Sequence, residues 1–267
     1  MAKVAALQMC SSHLVSENLA MAAKLIAEAK ANSAELVVLP EMFAAMGLKE
    51  QDKLKIKEKY GDGLIQNFLA EQALKNNIWI VAGTIPISTQ TENKARASCL
   101  IYNNQGVVVA RYDKIHLFDV TLSARESYFE SSTIEAGNNI VVLDTPIGKL
   151  GIAVCYDIRF PRLFAGLHEL GAEIIAIPAA FTMKTGAAHW ELLARARAVE
   201  NFCYVIGACQ GGTHTSQRQT YGHSLIVDPW GKIMTELNES KPGVIYADID
   251  LKYLADIRKS IPLHPKL

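Results

Sequence analysis

Three ionisable residues of complementary chemistry each stand at the end of a predicted β-strand. They are Glu41 after the apolar run 37–40, Lys114 after the run 107–112 and Cys155 after the run 150–154. In α/β folds the carboxyl ends of strands are where reactive side chains converge on a crevice. We therefore expect a carboxylate, an ammonium and a thiol to share one site.

Together these three groups could carry out acyl transfer. A thiol is a strong nucleophile only as the thiolate, so it needs a base or a cationic neighbour. A buried carboxylate can take the thiol proton once desolvation has raised its pKa toward neutrality. A lysine ammonium can then stabilise the thiolate and the oxyanion of the tetrahedral intermediate, together with backbone N–H groups. Such a set could hydrolyse an amide with no need of histidine or metal.

Each of the three residues also has a purely structural interpretation. A cysteine that ends an apolar strand is more often a small buried hydrophobe than a nucleophile. Glu41 could cap the next turn, and Lys114 could be a solvated loop lysine. His116, two residues further on, would allow a Cys–His pair instead. Spacing alone leaves these alternatives open.

The bulk composition narrows the class of protein. Half of the 267 residues are hydrophobic, 27 are basic and 27 are acidic, and the sequence pI is near 7.0. This balance is typical of a globular protein and argues against a nucleic-acid binder, which would have a basic excess. No apolar run approaches the ~20 residues that cross a bilayer, and the N-terminus lacks the apolar core of a signal peptide. We expect a cytoplasmic protein that binds neither membrane nor nucleic acid.

The cysteine pattern indicates free thiols and therefore a reducing compartment. No pair has the C-x-x-C spacing of a zinc or redox site, and the odd number leaves at least one thiol unpaired. The five are Cys10, Cys99, Cys155, Cys203 and Cys209. No His, Asp and Glu cluster has the spacing of metal ligands either. We expect neither a metal nor an organic cofactor.

Short β-rich runs alternate with longer helical patterns along the chain. Helices are predicted at 16–31, 64–76, 161–170 and 187–200. Strands are predicted at 4–7, 35–39, 79–83, 99–102, 107–112, 140–143, 149–154, 174–177, 204–208, 224–227 and 244–248. Turn residues at 103–106, 146–148 and 229–232 indicate hairpins. Hairpins mixed with strand–helix units favour a layered α/β sandwich over a purely parallel sheet.

Three local strings give the sequence a family resemblance. They are VLPEMF at 38–43, YDKIHLF at 112–118 and GIAVCYDIRFP at 151–161. These strings resemble the three signature blocks of the nitrilase superfamily of carbon–nitrogen hydrolases, in the family's order, and the resemblance runs over essentially the whole chain. It implies an α-β-β-α sandwich, a single domain over 1–267, and a homodimer or higher homo-oligomer.

The resemblance also implies roles for particular residues. Glu41 would be the general base, Lys114 the cationic stabiliser, and Cys155 the nucleophile that forms a thioester. A second glutamate often orients the lysine in this family; Glu130 fits its motif best, and Glu126 is the rival. The resemblance would make the backbone N–H of Tyr156 an oxyanion donor. The charged loop 119–128, which includes Arg125, leaves the choice of glutamate open.

Strings in the second half resemble one branch of the superfamily. Residues 185–191 and 194–201 are similar to the branch that contains omega-amidase and deaminated glutathione amidase. Residues 210–214 and 219–224 favour the deaminated glutathione amidase side. Both substrates carry a carboxylate beside a 2-oxo group, which requires a cationic or hydrogen-bonding anchor. The candidate anchors are Arg159, Arg195, Arg197 and Arg218.

Some of these second-half residues have competing structural interpretations. Arg195 and Arg197 lie on a predicted helix, where ion pairs with Glu191 or Glu200 are commoner than ligand contacts. His189 and Trp190 could line the site or pack the start of that helix.

The predicted reaction is hydrolysis of a small-molecule amide, deaminated glutathione, to 2-oxoglutarate and cysteinylglycine, which would be metabolite repair. The alternatives are an omega-amidase acting on 2-oxoglutaramate, a nitrilase, or an inactive interaction scaffold. The nitrilase reading is weaker because Tyr156 and Asp157 follow Cys155 where nitrilases have Trp-Glu. The scaffold is disfavoured because Glu41, Lys114 and Cys155 are all present.

The C-terminal run 253–267 shows little apolar periodicity and resembles the family's tail, which packs across a dimer contact.

Overall fold

Two β-sheets face each other, and helices cover the outer face of each sheet. The computed structural model describes residues 1–124 and 126–263. The helices are α1 Val15–Ala31, α2 Asp52–Lys55, α3 Leu64–Asn76, α4 Pro161–Glu169, α5 Met183–Asn201 and α6 Leu251–Ser260. This arrangement is the predicted α-β-β-α sandwich. None of the described helices is both long and apolar enough to span a bilayer.

The strands form two large sheets and two small hairpins. The strands are β1 Ala2–Gln8, β2 Leu36–Val38, β3 Trp79–Val81, β4 Ile85–Ser88, β5 Ala95–Tyr102, β6 Val108–Asp113, β7 Asp119–Ser123, β8 Glu126–Phe129, β9 Val142–Thr145, β10 Gly148–Ile152, β11 Ile174–Ala179, β12 Tyr204–Cys209, β13 Gly211–Thr213, β14 Gln219–Tyr221, β15 Leu225–Val227, β16 Ile233–Glu236 and β17 Gly243–Ile249. The first sheet has the order β17-β1-β2-β3-β5-β4, with β6 paired to β5, and the second has the order β16-β15-β12-β11-β10-β9. Strands β1, β2 and β3 are parallel to one another, as are β10, β11 and β12.

Strand β1 shows why the central strands are apolar on both faces. Successive side chains of a strand point to opposite faces. Val4 and Ala6 pack in the core between the two sheets, whereas Ala5 and Leu7 pack in the core that includes α1 and α3. All four are fully buried. A strand that is covered on both faces has a continuous apolar sequence, and this pattern predicted the strand at 4–7.

The predicted helices and strands listed for the two halves are confirmed, with small shifts at their ends. The helix predicted at 187–200 begins earlier, at Met183, because the Thr182 side chain accepts the Thr185 N–H at 3.3 Å and caps it. The predicted hairpin around 103–106 joins β5 and β6, which pair antiparallel.

Two segments differ from the sequence-based expectation. The predicted loop 119–128 is largely the antiparallel hairpin β7–β8; Arg125 lies outside the described residues. The C-terminal run forms helix α6, capped by the Asp250 side chain. Leu254 and Ile257, three residues apart, are enough to bury one face of this short helix. Residues 264–267 of the predicted tail lie outside the described part of the chain.

Candidate active site

Glu41 follows β2 and its backbone is held from two sides. Gln210 donates a hydrogen bond to the Glu41 carbonyl at 3.0 Å. On the other side Gly83 has φ +56°, and a Cβ at that position would lie 2.0 Å from the Pro40 carbonyl oxygen. Only glycine fits such a left-handed, close-packed position. The carboxylate of Glu41 is therefore presented at a fixed place, and the residue is 4% exposed.

Cys155 lies at a sharp turn after β10. Its φ is +47°, in the left-handed region that non-glycine residues rarely adopt. The turn continues as a short 3-10 helix, Cys155–Arg159, and Asp157 accepts the Val154 N–H at 2.8 Å. Backbone strain of this kind persists where surrounding contacts enforce it, and it is common at functional sites.

Asp157 connects the turn of Cys155 to the segment that carries Lys114. Besides the Val154 N–H, it accepts the Tyr112 hydroxyl at 2.6 Å and the His116 backbone N–H at 2.9 Å. The His116 ring also lies 2.7 Å from this carboxylate and stacks on Phe160 with 3.6 Å between ring centroids. His116 is thus engaged by Asp157 and Phe160, which disfavours the alternative of a Cys155–His116 pair.

Lys114 lies between two carboxylates. Its Nζ donates to Glu41 Oε1 at 2.7 Å and to Glu130 Oε2 and Oε1 at 2.9 and 3.2 Å. Glu130 also accepts the Phe118 N–H at 2.7 Å. The lysine is 2% exposed. A buried ammonium held by two carboxylates has a fixed orientation and its charge is compensated.

These ion pairs determine the charge states of Lys114 and Glu130. Burial disfavours the ammonium of Lys114, but Glu130 and Glu41 outweigh it and raise its pKa well above the usual value. Burial likewise disfavours the carboxylate of Glu130, but Lys114 and Lys53 outweigh it and lower its pKa. The structure therefore favours a charged lysine and a charged second glutamate at neutral pH.

The surroundings of Cys155 favour the protonated thiol over the thiolate. Burial, and then the nearby Glu41 carboxylate, raise the pKa of Cys155 well above its usual value, although Lys114 and a backbone hydrogen bond from Ala180 act in the opposite direction. Glu41 makes a side-chain hydrogen bond with this thiol. The arrangement therefore suits proton transfer from Cys155 to Glu41 during attack, rather than a standing thiolate.

The three groups lie at the floor of a cleft with two connected chambers. The lining of the inner chamber includes Glu41, Lys114, Glu130, Cys155, Tyr156 and Arg159. The outer chamber extends over residues 44–49 and 216–218. Glu41, Glu50, Lys53, Tyr128, Glu130 and Arg218 line both chambers.

Of the two rival glutamates, Glu130 is the one in contact with Lys114. The Glu126 carboxylate accepts the Tyr128 hydroxyl at 3.2 Å on the β7–β8 hairpin. Glu126 is the first residue of β8, whereas Glu130 begins the 3-10 helix Glu130–Ser132 that follows the strand, so the two side chains are positioned by different elements.

The predicted arginine anchors fall into two groups. Arg159 lines the inner chamber and Arg218 lines both chambers. Arg195 instead pairs with Glu191 at 3.1 Å. Arg197 donates to the Ile158 carbonyl at 2.8 Å and pairs with Glu200 at 2.6 Å. The helical ion pairs expected for Arg195 and Arg197 are therefore present, and neither residue is among the described residues that line the chambers.

Of the two interpretations of Trp190, lining the site or packing the helix, the structure favours packing. The indole is fully buried in the core, packs against Phe181, and donates from Nε1 to the His223 carbonyl at 2.8 Å. It occupies the inward face of α5 because that face covers the second sheet. His189, its exposed neighbour, contacts the cleft residue Arg159, with 3.3 Å between Nδ1 and Nη2.

Several cleft residues carried no clear signal in the sequence. Phe118 and Tyr128 form an aromatic wall with 5.3 Å between ring centroids. Thr185 and Phe181 come from the start of α5 and the loop before it, and Lys53 with Glu50 comes from the region of α2. These residues approach Cys155 only through tertiary packing. Cys203 and Cys209 are buried in the core.

A metal centre is not evident in the described ranges. Within residues 1–124 and 126–263, no group of three or more His, Cys, Asp or Glu side chains is placed to hold a metal ion.

Comparison with known proteins gives concordant results. The Carbon-nitrogen hydrolase family model matches residues 3–259. The chain is 41% identical to a deaminated glutathione amidase of Yersinia enterocolitica, with 98% of this chain and 91% of that protein covered. The crystal structure of Saccharomyces cerevisiae Nit3, a member of branch 10 of the nitrilase superfamily, has a TM-score of 0.88 at 34% identity, covering 98% and 94% of the two chains.

The structure of the Caenorhabditis elegans NitFhit protein is also similar, with a TM-score of 0.89 and 36% identity. The match covers 98% of this chain but only 65% of NitFhit. The family model and these relatives agree with the signature blocks and with the sandwich of two sheets. The chain belongs to the carbon–nitrogen hydrolase family.

Proposed function

We propose that this protein is an amidase that hydrolyses deaminated glutathione to 2-oxoglutarate and cysteinylglycine. The observation that carries the proposal is the contact of Lys114 with Glu41 and Glu130 beside the buried Cys155 thiol. The activity named for the relative from Yersinia enterocolitica supports the choice of substrate. The outer chamber extends the cleft beyond Cys155, over residues 44–49 and 216–218, which also favours a peptide leaving group over ammonia.

In the acylation half-reaction, Glu41 takes the Cys155 proton as the sulfur attacks the amide carbon. The carbonyl oxygen becomes an oxyanion, which the Lys114 ammonium and the Tyr156 N–H stabilise. Glu41 then gives its proton to the departing nitrogen, and the C–N bond breaks. Cysteinylglycine leaves as an amine, and the 2-oxoglutaryl group remains on Cys155 as a thioester.

In the deacylation half-reaction, Glu41 takes a proton from a water molecule that attacks the thioester carbon. Lys114 and Tyr156 again stabilise the oxyanion. The C–S bond breaks, the proton returns to the sulfur, and 2-oxoglutarate leaves. Glu130 does not exchange a proton in this scheme; it holds Lys114 in position and keeps its ammonium charged.

Arg159 is the proposed anchor for the carboxylate of the acyl group. It lines the inner chamber beside Cys155. Its guanidinium carbon lies 5.9 Å from the Tyr156 ring centroid and 5.5 Å from that of Phe181. A guanidinium supported by aromatic faces binds a carboxylate with defined geometry. His189 contacts Arg159 and is proposed to position it.

A homodimer or higher homo-oligomer and a single domain over 1–267 are proposals that rest on the family resemblance, and a cytoplasmic location is a proposal that rests on the sequence pattern. Sedimentation of the purified protein tests the first of them.

The test of function compares two substrates and two cysteine variants. The purified protein receives deaminated glutathione or 2-oxoglutaramate, and 2-oxoglutarate, cysteinylglycine and ammonia are measured. We expect cysteinylglycine release from deaminated glutathione without ammonia, abolished in Cys155→Ala and retained in Cys10→Ala. A preference for 2-oxoglutaramate would instead assign an omega-amidase. Uniform slow alkylation of all five cysteines by iodoacetamide, with no activity on either substrate, would favour the inactive scaffold.

A further inference from the structure

We propose that Arg218 determines leaving-group specificity: it binds the C-terminal carboxylate of the peptide released from the substrate. The site would therefore select amides of anionic peptides over primary amides. This inference rests on the proposed amidase function and deepens it.

The guanidinium of Arg218 has unused hydrogen-bonding capacity. Its Nε is buried and has no hydrogen-bond partner among the described residues. Its Nη2 donates to the Ala180 carbonyl at 3.3 Å, and its Nη1 lies 3.9 Å from the Met46 sulfur, a weak acceptor. A buried, unsatisfied donor costs free energy. An anion that entered the cleft would remove this cost and accept from a charged donor.

Arg218 also lacks the carboxylate partner that the neighbouring lysines have. Lys114 pairs with Glu41 and Glu130, and Lys53 pairs with Glu50. Among the ion pairs of residues 1–124 and 126–263, none includes Arg218. The guanidinium instead lies over the Tyr128 ring, 4.9 Å from its centroid. This support fixes the planar group while its charge stays available for a ligand.

The two cleft arginines occupy different parts of the cleft. Arg159 lines the inner chamber, whereas Arg218 also lines the outer chamber. Ala180 places Arg218 beside the nucleophile, since its carbonyl accepts from Arg218 and its backbone hydrogen-bonds Cys155. Deaminated glutathione carries one carboxylate on the 2-oxo acyl end and another on the peptide end, with the scissile amide between them. In the proposed binding mode Arg159 takes the acyl carboxylate, and Arg218, which also lines the outer chamber, takes the peptide carboxylate.

The acyl-enzyme scheme predicts which kinetic step Arg218 affects. Cysteinylglycine leaves when the thioester forms, so its carboxylate can contribute only to binding and acylation. Both of these steps are contained in kcat/KM, whereas hydrolysis of the 2-oxoglutaryl thioester is the same for every substrate with that acyl group. An Arg218 variant should therefore lose kcat/KM for a substrate with the peptide carboxylate in particular.

The experiment removes either the peptide carboxylate of the substrate or the guanidinium of Arg218. Deaminated glutathione and its analogue with a C-terminal carboxamide are supplied to the wild type, Arg218→Met, Arg218→Lys and the control Arg195→Met. For the wild type and Arg195→Met we expect kcat/KM to favour the acid over the carboxamide by about 10- to 100-fold, the typical size of a charge-assisted hydrogen bond. For Arg218→Met this ratio should fall to near 1, and for Arg218→Lys it should be intermediate because lysine lacks the planar fork.

The ratio separates recognition from structural damage. If Arg218 only supports the backbone of Ala180, Arg218→Met will lose activity equally on both substrates and the ratio will stay at the wild-type value, which overturns the inference. A wild type that does not distinguish acid from carboxamide overturns it as well. A wild type that hydrolyses neither compound rejects the amidase proposal itself, and that outcome is distinguishable because it precedes any comparison of variants.

Discussion

Replacing Lys114 with methionine should lower the free energy of unfolding at pH 7 by about 3–5 kcal/mol, the usual cost of removing one partner of a buried ion pair. The lysine is 2% exposed, and the side chains of its partners Glu41 and Glu130 are 5% and 13% exposed. Solvent therefore does little to compensate the carboxylates once the ammonium is gone. For a chain of this length, roughly 2 °C per kcal/mol predicts a melting temperature about 6–10 °C lower.

The loss of stability in Lys114→Met should depend on pH because the Glu130 carboxylate titrates. In the wild type, burial opposes ionisation of Glu130, but Lys114 and Lys53 hold its pKa below the usual value. The stabilisation is present above the pKa of unfolded glutamate, about 4.3, and is lost as the pH falls through the lower folded pKa. In Lys114→Met the folded pKa of Glu130 rises, so protonation relieves the buried charge. The difference in stability between the two proteins should therefore shrink as the pH falls from 7 toward 5.

The assay is thermal unfolding of the wild type, Lys114→Met and the double variant Lys114→Met/Glu130→Gln, at equal protein concentration and at pH 5, 6 and 7. The double variant should recover part of the lost stability because one uncompensated carboxylate is gone. Neither variant should be active, since the oxyanion contact is missing. A Lys114→Met melting temperature within about 2 °C of the wild type at pH 7 would refute the reasoning, because the two carboxylates would then not depend on the ammonium.

Two further predictions concern residues that hold the proposed catalytic groups in position. Glu130→Gln should lower kcat/KM by about 10- to 100-fold, because one charged hydrogen bond to Lys114 is lost, whereas Glu126→Gln should change it less than twofold; the reverse order in steady-state kinetics would exchange their roles. Asp157→Asn should lower the free energy of unfolding by about 2–5 kcal/mol. Each carboxylate oxygen of Asp157 accepts two hydrogen bonds. Because asparagine replaces one of these oxygens with an NH₂ group, two buried donors would lose their acceptor. Denaturant unfolding measures this loss, and a wild-type midpoint would contradict it.

The sequence predicted most helices and strands correctly because the apolar pattern of each segment matches the secondary structure that the segment adopts. The runs before Glu41 and Cys155 are buried on both faces, and the sequence marks them as continuous apolar segments. The signature blocks then predicted that Glu41, Lys114 and Cys155 share a site. Their meeting depends on contacts between distant segments, and the resemblance carried that information.

Other features of the site depend on which face of an element is covered. Trp190 and His189 are adjacent in sequence, yet one lies in the core and the other is exposed, because α5 packs one face on the second sheet. The choice between Glu126 and Glu130 depended on the β7–β8 hairpin, which a charged segment with few apolar residues did not predict. Arg218 was one of four candidate anchors, and no local pattern distinguished it from Arg195 and Arg197, because its contacts Ala180 and Tyr128 are far away in sequence.

The contacts of Asp157 have a consequence for the order in which the enzyme matures. Glu41 and Lys114 follow strands of the first sheet, and Cys155 follows a strand of the second, so one half of the sandwich cannot assemble the set alone. Asp157 makes its bonds to Tyr112 and His116 only after the sheets have docked. A chain whose second half has yet to dock therefore carries an ordinary cysteine, without its base or its cation. Reactivity toward amides therefore requires both sheets to be docked, and the docked sheets also enclose the thiol.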